Sequence, residues 1–300
     1  MNAPSAPRRT IVLTGATGYV GGALLPRLLA AGHEVRCVVR TPEHADLPDG
    51  AQVVQGDVLE GTGLDEALRG ADVAYYLVHS MGGDGDFAQR DRAGAAHFGD
   101  AARAAGVART VYLGGLEGGD AGASEHLRSR HEVAGVLRER VPELVYVRAA
   151  MIVGAGSVSF QMLRGLVEHL PVMITPQWLR TRSQPVAIDD VVGTLAELVN
   201  RAAVPGEVQL GGADVLTYHE MLRRFAAVQH RRQPLLIGVP LFTPRLSSYW
   251  VALVTPVPLG LVKPLVEGLS AETVVREPPP PGLNDRPLGF DAAVRAALAA

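Results

Sequence analysis

The 300-residue sequence predicts an α/β fold, a doubly wound parallel sheet with a smaller C-terminal cap, on three observations. Near the N-terminus, about thirty residues read as strand, glycine-rich turn, helix and strand. Apolar runs then alternate with helical patterns as far as about residue 155. Beyond that point the alternation loosens and proline becomes frequent. Strands separated by helices cannot pair as hairpins, so they lie parallel, with the helices covering both faces.

Taken in order, "TIVLTGATGYVGGALLPRLLAAGHEVRCVVR" starts with the apolar run Ile11 to Leu13 and a glycine-rich turn. Leu24, Leu25, Leu28 and Leu29 recur at helical spacing, Gly32 ends the helix, and residues 35–39 form a second apolar run. This is a βαβ unit. Strands are expected over 51–57, 71–80, 109–115 and 143–154, with helices over 63–70, 87–106 and 124–140. Later come a helix over 159–170, a strand and helix within 183–200 that Asp189 or Asp190 would cap, and a strand over 207–212. Thr217 and Glu220 stand at capping-box spacing before a helix over 217–230. The core domain is expected over residues 8–155 with returning segments about 184–212, and the cap over 156–300, interleaved with it.

The glycine turn carries the chemistry. In "TGATGYVGG", Gly15 allows a tight turn, Gly18 lets the backbone approach a pyrophosphate, and Gly21 lets the helix pack on the strand. The first helical N–H groups, at Tyr19 and Val20, would face the phosphates with the helix dipole behind them. A strand before and a helix and second strand after give this triplet the context of a Rossmann-type dinucleotide site. Where an acid would hold a ribose 2′-hydroxyl, the second strand ends in Arg40 and Thr41. A cation there suits a 2′-phosphate, so NADP is the expected cofactor, with NAD the alternative.

Composition bounds the rest. Hydrophobic residues make up 47% and charged residues 20%, the net charge is −3, and the charges are interspersed, so no nucleic-acid partner is expected. The one cysteine, Cys37, excludes an intrachain disulfide and a thiol-rich metal site. No metal is expected: His126 and His131 are five apart on their helix and do not share a face. The leading "MNAPSAPRRT" has no apolar stretch of a signal peptide, and a cytoplasmic protein is the expectation.

"TGATGYVGG", Gly56–Asp57, "YYLVHSMG", "HLRSR" and "VRAAMIVGAGS" together resemble the atypical and extended short-chain dehydrogenase/reductases. Within them the chain is most similar to the NmrA-like group and the bacterial NAD(P)-binding proteins of the YbjT type, over nearly its whole length. The resemblance implies an oxidoreductase. It also implies that Thr17 lies in the phosphate loop and that Asp57 meets the adenine amino group with Val58 beside the ring. Val78 and His79 would lie against the ribose and nicotinamide, and Met151 and Ile152 would flank the nicotinamide amide.

The chain departs from the family at its catalytic positions. A Tyr-x-x-x-Lys pair on the helix after the fifth strand, with a hydroxyl residue at that strand's end, is the family pattern. Here the strand ends in Gly114 and Gly115, and an ungapped reading puts His126 and Arg130 where the pair would stand. At 100° per residue, Leu127, Val133, Ala134, Leu137 and Val141 share a face, with Arg130 near its middle and Arg128, Glu132 and Glu139 opposite. Arginine stays protonated and can hold a cofactor; histidine can move a proton near neutral pH. His126 and Arg130 are therefore the catalytic candidates, with Arg130 also a cofactor contact and Tyr76 and His79 rival acids.

The tail over 233–269 is apolar and rich in proline. Pro256, Pro258 and Gly260 interrupt its uncharged run, so no transmembrane segment is expected. It suits a lid on a substrate pocket, a homodimer surface or a shallow membrane contact, and Trp178 could close the same cleft. The expected activity is NADP(H)-dependent reduction of a small apolar carbonyl, quinone or enone. The alternatives are a non-catalytic redox sensor and, more weakly, an epimerase.

Overall fold

A computed structural model describes residues 7–78, 87–116, 125–175, 177–238, 257, 266, 268, 269 and 271–300, with backbone alone at 125–127, 174, 175, 177, 178 and 238. The chain runs β1 (Thr10–Thr14), α1 (Tyr19–Ala30), β2 (Glu34–Val39), β3 (Gln52–Gln55), α2 (Leu64–Leu68), β4 (Val73–Tyr76) and α3 (Phe87–Ala104). It continues through β5 (Arg109–Gly115), α4 (Glu125–Arg138), β6 (Leu144–Ala149), β7 (Ile152–Val153), α5 (Val158–His169) and β8 (Val172–Thr175). The later elements are β9 (Arg182–Ser183), β10 (Val186–Ala187), α6 (Ile188–Glu197), β11 (Glu207–Leu210), β12 (Leu216–Thr217), α7 (Tyr218–Val228), β13 (Leu235–Gly238) and α8 (Phe290–Ala299).

Seven strands form one parallel sheet in the order β11-β6-β5-β4-β1-β2-β3, the Rossmann-type doubly wound arrangement. Side chains alternate between its faces along every strand. Ile11, Leu13, Tyr75, Val111, Val145 and Val147 meet Leu24, Leu25 and Leu28 of α1 and Val191, Val192 and Leu195 of α6 on one face. Val12, Ala74, Tyr76, Tyr112 and Tyr146 meet Leu64 and Leu68 of α2, Phe98 of α3 and Val133, Ala134 and Leu137 of α4 on the other. Each buried leucine contributes about 2 kcal/mol, so the two layers hold the sheet from both sides. Gly32, at φ +83°, ends α1 as the sequence predicts, its N–H bonded to the Leu29 carbonyl.

Three expectations need correction. The strand foreseen over 143–154 breaks after Ala149. Ala150 N–H bonds to the Leu210 carbonyl, and β7 leaves the main sheet to pair with β10. Neither Asp189 nor Asp190 caps α6: Ala187 is the N-cap and both acids lie in the first turn. Asp190 instead accepts the Leu288 N–H at 2.9 Å, and Asp189 pairs with Arg27 at 2.7 Å. Helix α8 was not foreseen; Phe290, Ala293, Val294 and Ala297 bury one face of it against α7. The capping box is present as predicted, with Thr217 and Glu220 bonded reciprocally.

The later elements build a third core. Phe160, Leu163 and Val167 of α5, Met221, Leu222 and Phe225 of α7 and Phe290 and Val294 of α8 pack together beside β7. This cap faces the ends of β1, β4, β5 and β6 that carry the glycine loop. Most of the apolar tail, and the Trp178 side chain, lie outside the described residues.

Candidate active site

The site begins where β1 ends. Thr14 Oγ1 donates to the Tyr75 carbonyl at 2.9 Å and accepts the Leu77 N–H at 3.1 Å, fixing β1 against the chain leaving β4. Gly15 follows at φ +74°, where a Cβ would lie 2.6 Å from the Leu77 carbonyl oxygen. At Gly21 a Cβ would overlap the Gly15 carbonyl. Gly18, the N-cap of α1, makes no side-chain cap bond, which leaves the first-turn N–H groups open to an anion.

Tyr19 serves the loop in a way the sequence did not disclose. Its ring occupies the space in which a Cβ at Gly154 or Gly156 would fall. The Gly156 N–H donates to its hydroxyl, and burial raises its pKa above the usual phenol value. The segment "VGAGS" is thus shaped by a side chain from a distant part of the sequence.

Two connected concavities flank the loop, sharing Gly15, Gly18 and Leu77. The first, about 620 Å³, runs along the ends of β2 and β4 and is lined by Thr17, Arg40, Thr41, Asp57, Val58 and Val78. His44, Tyr76, Arg90 and Asp91 also line it; of these, only Tyr76 had drawn notice in the sequence, and as a proton donor. His44 lies in the 3-10 turn right after Arg40, a signal present in "RTPEH". Asp57 accepts the Leu59 N–H at 2.8 Å, which orders the turn after β3.

Val78 sits in this groove, and Met151 and Ile152 line the second one. The buried Tyr76 hydroxyl lies near Gly94 of α3, and burial raises its pKa above the ordinary phenol value. His79 lies outside the described residues.

The second concavity, about 360 Å³, holds Tyr19, Val20, Gly21, Arg130, Met151 and Ile152. Its floor is the end of β5, from Leu113 to Leu116, and it extends under the cap between α5 and α7. Arg130 is half-buried and donates from Nη1 to the Leu113 carbonyl at 3.2 Å, while its own carbonyl accepts from Tyr112. Here the helical-wheel expectation holds: Val133, Ala134 and Leu137 are buried, and Arg128 and Glu132 face solvent. Among the described residues, the ionisable side chains lining this cavity are Tyr19, Arg130 and Tyr218. His126 lies on α4 one turn before Arg130, but its side chain is outside the described residues.

The cradle fits a dinucleotide. The buried Nε of Arg90 has no hydrogen-bond partner on the groove wall, and the glycines hold open space that side chains would fill. Among the described residues no cluster suits a metal ion, and no helix is long and apolar enough to cross a membrane.

Comparison with known proteins agrees with this geometry. Residues 15–151 match a family model described as NAD(P)H-binding. A protein of Caulobacter vibrioides named ceramide reductase is 30% identical over 270 residues, covering 85% of this chain and 83% of that one. The Citrobacter triphenylmethane reductase complexed with NADP(H) superposes with a TM-score of 0.75 at 19% identity, over 96% of this chain and 99% of that one. A nucleoside-diphosphate-sugar epimerase of Staphylococcus aureus gives a TM-score of 0.75 at 17% identity, over 95% and 99% of the two chains. The chain belongs to the atypical, NmrA-like short-chain dehydrogenase/reductases, a family of NAD(P)H-binding oxidoreductases.

Proposed function

We propose that the protein is an NADP(H)-dependent reductase of an apolar carbonyl compound, a ketone, quinone or enone. One observation carries this reading: the phosphate loop stands between a groove with a cationic end and an aliphatic cavity, and Gly15, Gly18 and Leu77 belong to both. A cofactor laid across the loop would have its adenosine half in the groove and its reactive ring in the cavity. The lipid in the name of the Caulobacter relative supports a lipophilic substrate, larger than the small molecule first expected.

Each part of the chain then has a task. The N–H groups of Tyr19, Val20 and Gly21 would hold the pyrophosphate, with Thr17 beside them. Arg40, with Thr41 and His44 beside it, would meet the 2′-phosphate that distinguishes NADP(H) from NAD(H). Asp57 and Val58 would frame the adenine, and Met151 and Ile152 the nicotinamide. When bound, the reduced nicotinamide supplies a hydride to the substrate.

Arg130 is a positioning residue that holds the ribose or the substrate oxygen. Its charge cannot act as an acid, because a guanidinium does not release its proton near neutrality. The proton for the new alcohol would come from His126 or from water, and the cap orients the substrate and excludes bulk water.

Titration of the purified protein with NADPH and NADH, read by nicotinamide fluorescence, tests the cofactor assignment. Screening long-chain ketones, quinones and enones for NADPH oxidation tests the reaction. Binding without turnover on any acceptor supports instead a non-catalytic redox sensor, which His126 and Arg130 at the Tyr and Lys positions would favour. No binding of either dinucleotide overturns both readings.

A further inference from the structure

The cap side of the cavity is largely aliphatic, from Met162, Leu163 and Leu166 to Leu179 and Leu222, with Ser157 and Ser159 at the start of α5 and a second polar patch at the start of α7. Tyr218 and Thr273 line the cavity there, and Ser183 lies directly behind them, fully buried. Thr273 Oγ1 donates to Ser183 Oγ at 2.7 Å, and the Tyr218 hydroxyl stands beside both. These residues come from three segments: Ser183 from β9, Tyr218 from the start of α7, and Thr273 from the stretch bridged to Ser183. Thr273 is tied down further, its N–H bonded to the Arg182 carbonyl.

A hydroxyl has one proton and two lone pairs. Thr273 gives its proton to Ser183, so what its hydroxyl still offers is a lone pair. Ser183 is sealed from the cavity, so the lone pairs that face it belong to Tyr218 and Thr273. An acceptor that stays dry and unpaired in an apolar cavity is unfavourable, and a donor on the ligand relieves it. An ether or ester oxygen in the same place would offer Thr273 no proton.

We propose that Tyr218, Ser183 and Thr273 form a recognition subsite for a hydroxyl or amide N–H carried on the hydrocarbon part of the substrate, away from the reduced carbonyl. The inference rests on the reductase reading and narrows its substrate class to lipid-like ketones bearing such a donor. The aliphatic wall takes the chain, and the hydroxyl cluster fixes how far the chain enters.

The test compares 2-dodecanone, a positional series of its hydroxylated derivatives, and the methyl ethers of those derivatives, with NADPH as reductant. At least one hydroxyketone should exceed both the parent ketone and its own ether in kcat/KM by about tenfold. In Tyr218→Phe and in Thr273→Val that ratio should fall to within about twofold, mostly through KM. Thermal unfolding of both variants confirms that they fold. A parent protein indifferent to the hydroxyl, or a preference that survives both substitutions, overturns the subsite. If no ketone oxidises NADPH, the reductase reading fails by itself. Calorimetric binding of the same three classes of compound to the protein then decides the subsite independently, by the presence or absence of the same tenfold preference.

Discussion

Arg130 Nη1 donates to the carbonyl oxygen of Leu113 at 3.2 Å, tying the helix that carries the family's catalytic positions to the C-terminal end of strand β5. The bond uses one of the five guanidinium donors, which leaves others available to the cavity that Arg130 lines. Replacement by alanine should weaken NADPH binding about tenfold while the protein stays folded, because the apolar neighbours Val133, Ala134 and Leu137 remain buried. Fluorescence titration against the parent measures this. Undiminished affinity would place Arg130 outside the cofactor site.

Arg40 closes the groove at the end of β2, and the expected preference for a 2′-phosphate depends on its charge. Arg40→Asp should reverse the order of NADPH and NADH affinities, since a carboxylate accepts from a ribose 2′-hydroxyl and repels a phosphate. Paired titrations check it. The two affinities should move in opposite directions, a pattern that general damage to the fold would not give.

Gly156 and Tyr19 are fitted to each other: an added methyl at Gly156 would enter the tyrosine ring. Gly156→Ala should therefore displace Tyr19, disturb the start of α1 and lower NADPH affinity. Gly156→Ala combined with Tyr19→Ala should recover part of that loss, because the space is then free. The double-mutant cycle, read by cofactor affinity, measures the coupling.

How far the sequence disclosed this molecule depends on the range of the interactions involved. The β1-α1-β2 unit was legible because its signals are local: apolar runs, the Leu24, Leu25, Leu28 spacing, and glycines at the turn and the helix end. Helix α8 was not, because alanine marks a buried face only weakly and the side chains that cover Ala293 and Ala297 come from elsewhere in the chain. The break after Ala149 is dictated by β10, a partner with no mark in the local pattern. Of the site, the phosphate loop and Arg40 could be read from order along the chain. The position of Tyr19 against Gly154 and Gly156, the orphan Nε of Arg90, and the Ser183–Tyr218–Thr273 cluster are meetings of distant segments that only the fold creates.

Cys37 lies in β2 with no exposed surface, and burial pushes its thiol up to about 12. The thiolate is the reactive form, so at pH 8 the folded protein should not react with an aromatic disulfide reagent. In denaturant one thiol per chain should react at once. The rate at intermediate denaturant should follow unfolding monitored by circular dichroism, and rapid labelling of the native protein would contradict the buried position.

Thr217 and Glu220 close the start of α7 reciprocally: Thr217 N–H donates to Glu220 at 2.8 Å, and Glu220 N–H donates to Thr217 Oγ1 at 3.2 Å. Loss of such a cap costs about 1 kcal/mol, so Thr217→Ala should lower Tm by about 2 °C. The bonds from the Thr217 backbone and hydroxyl hold the Glu220 carboxyl below its ordinary pKa. A depressed carboxyl pKa stabilises the fold above the unfolded value and loses that contribution as pH falls through the folded one. The stability difference between the parent and Glu220→Ala should therefore be full at pH 7 and shrink below about pH 4, the ordinary glutamate range. Urea unfolding at a series of pH values measures it, and a difference that stayed constant down to pH 3 would show that the carboxylate charge has no part in the cap.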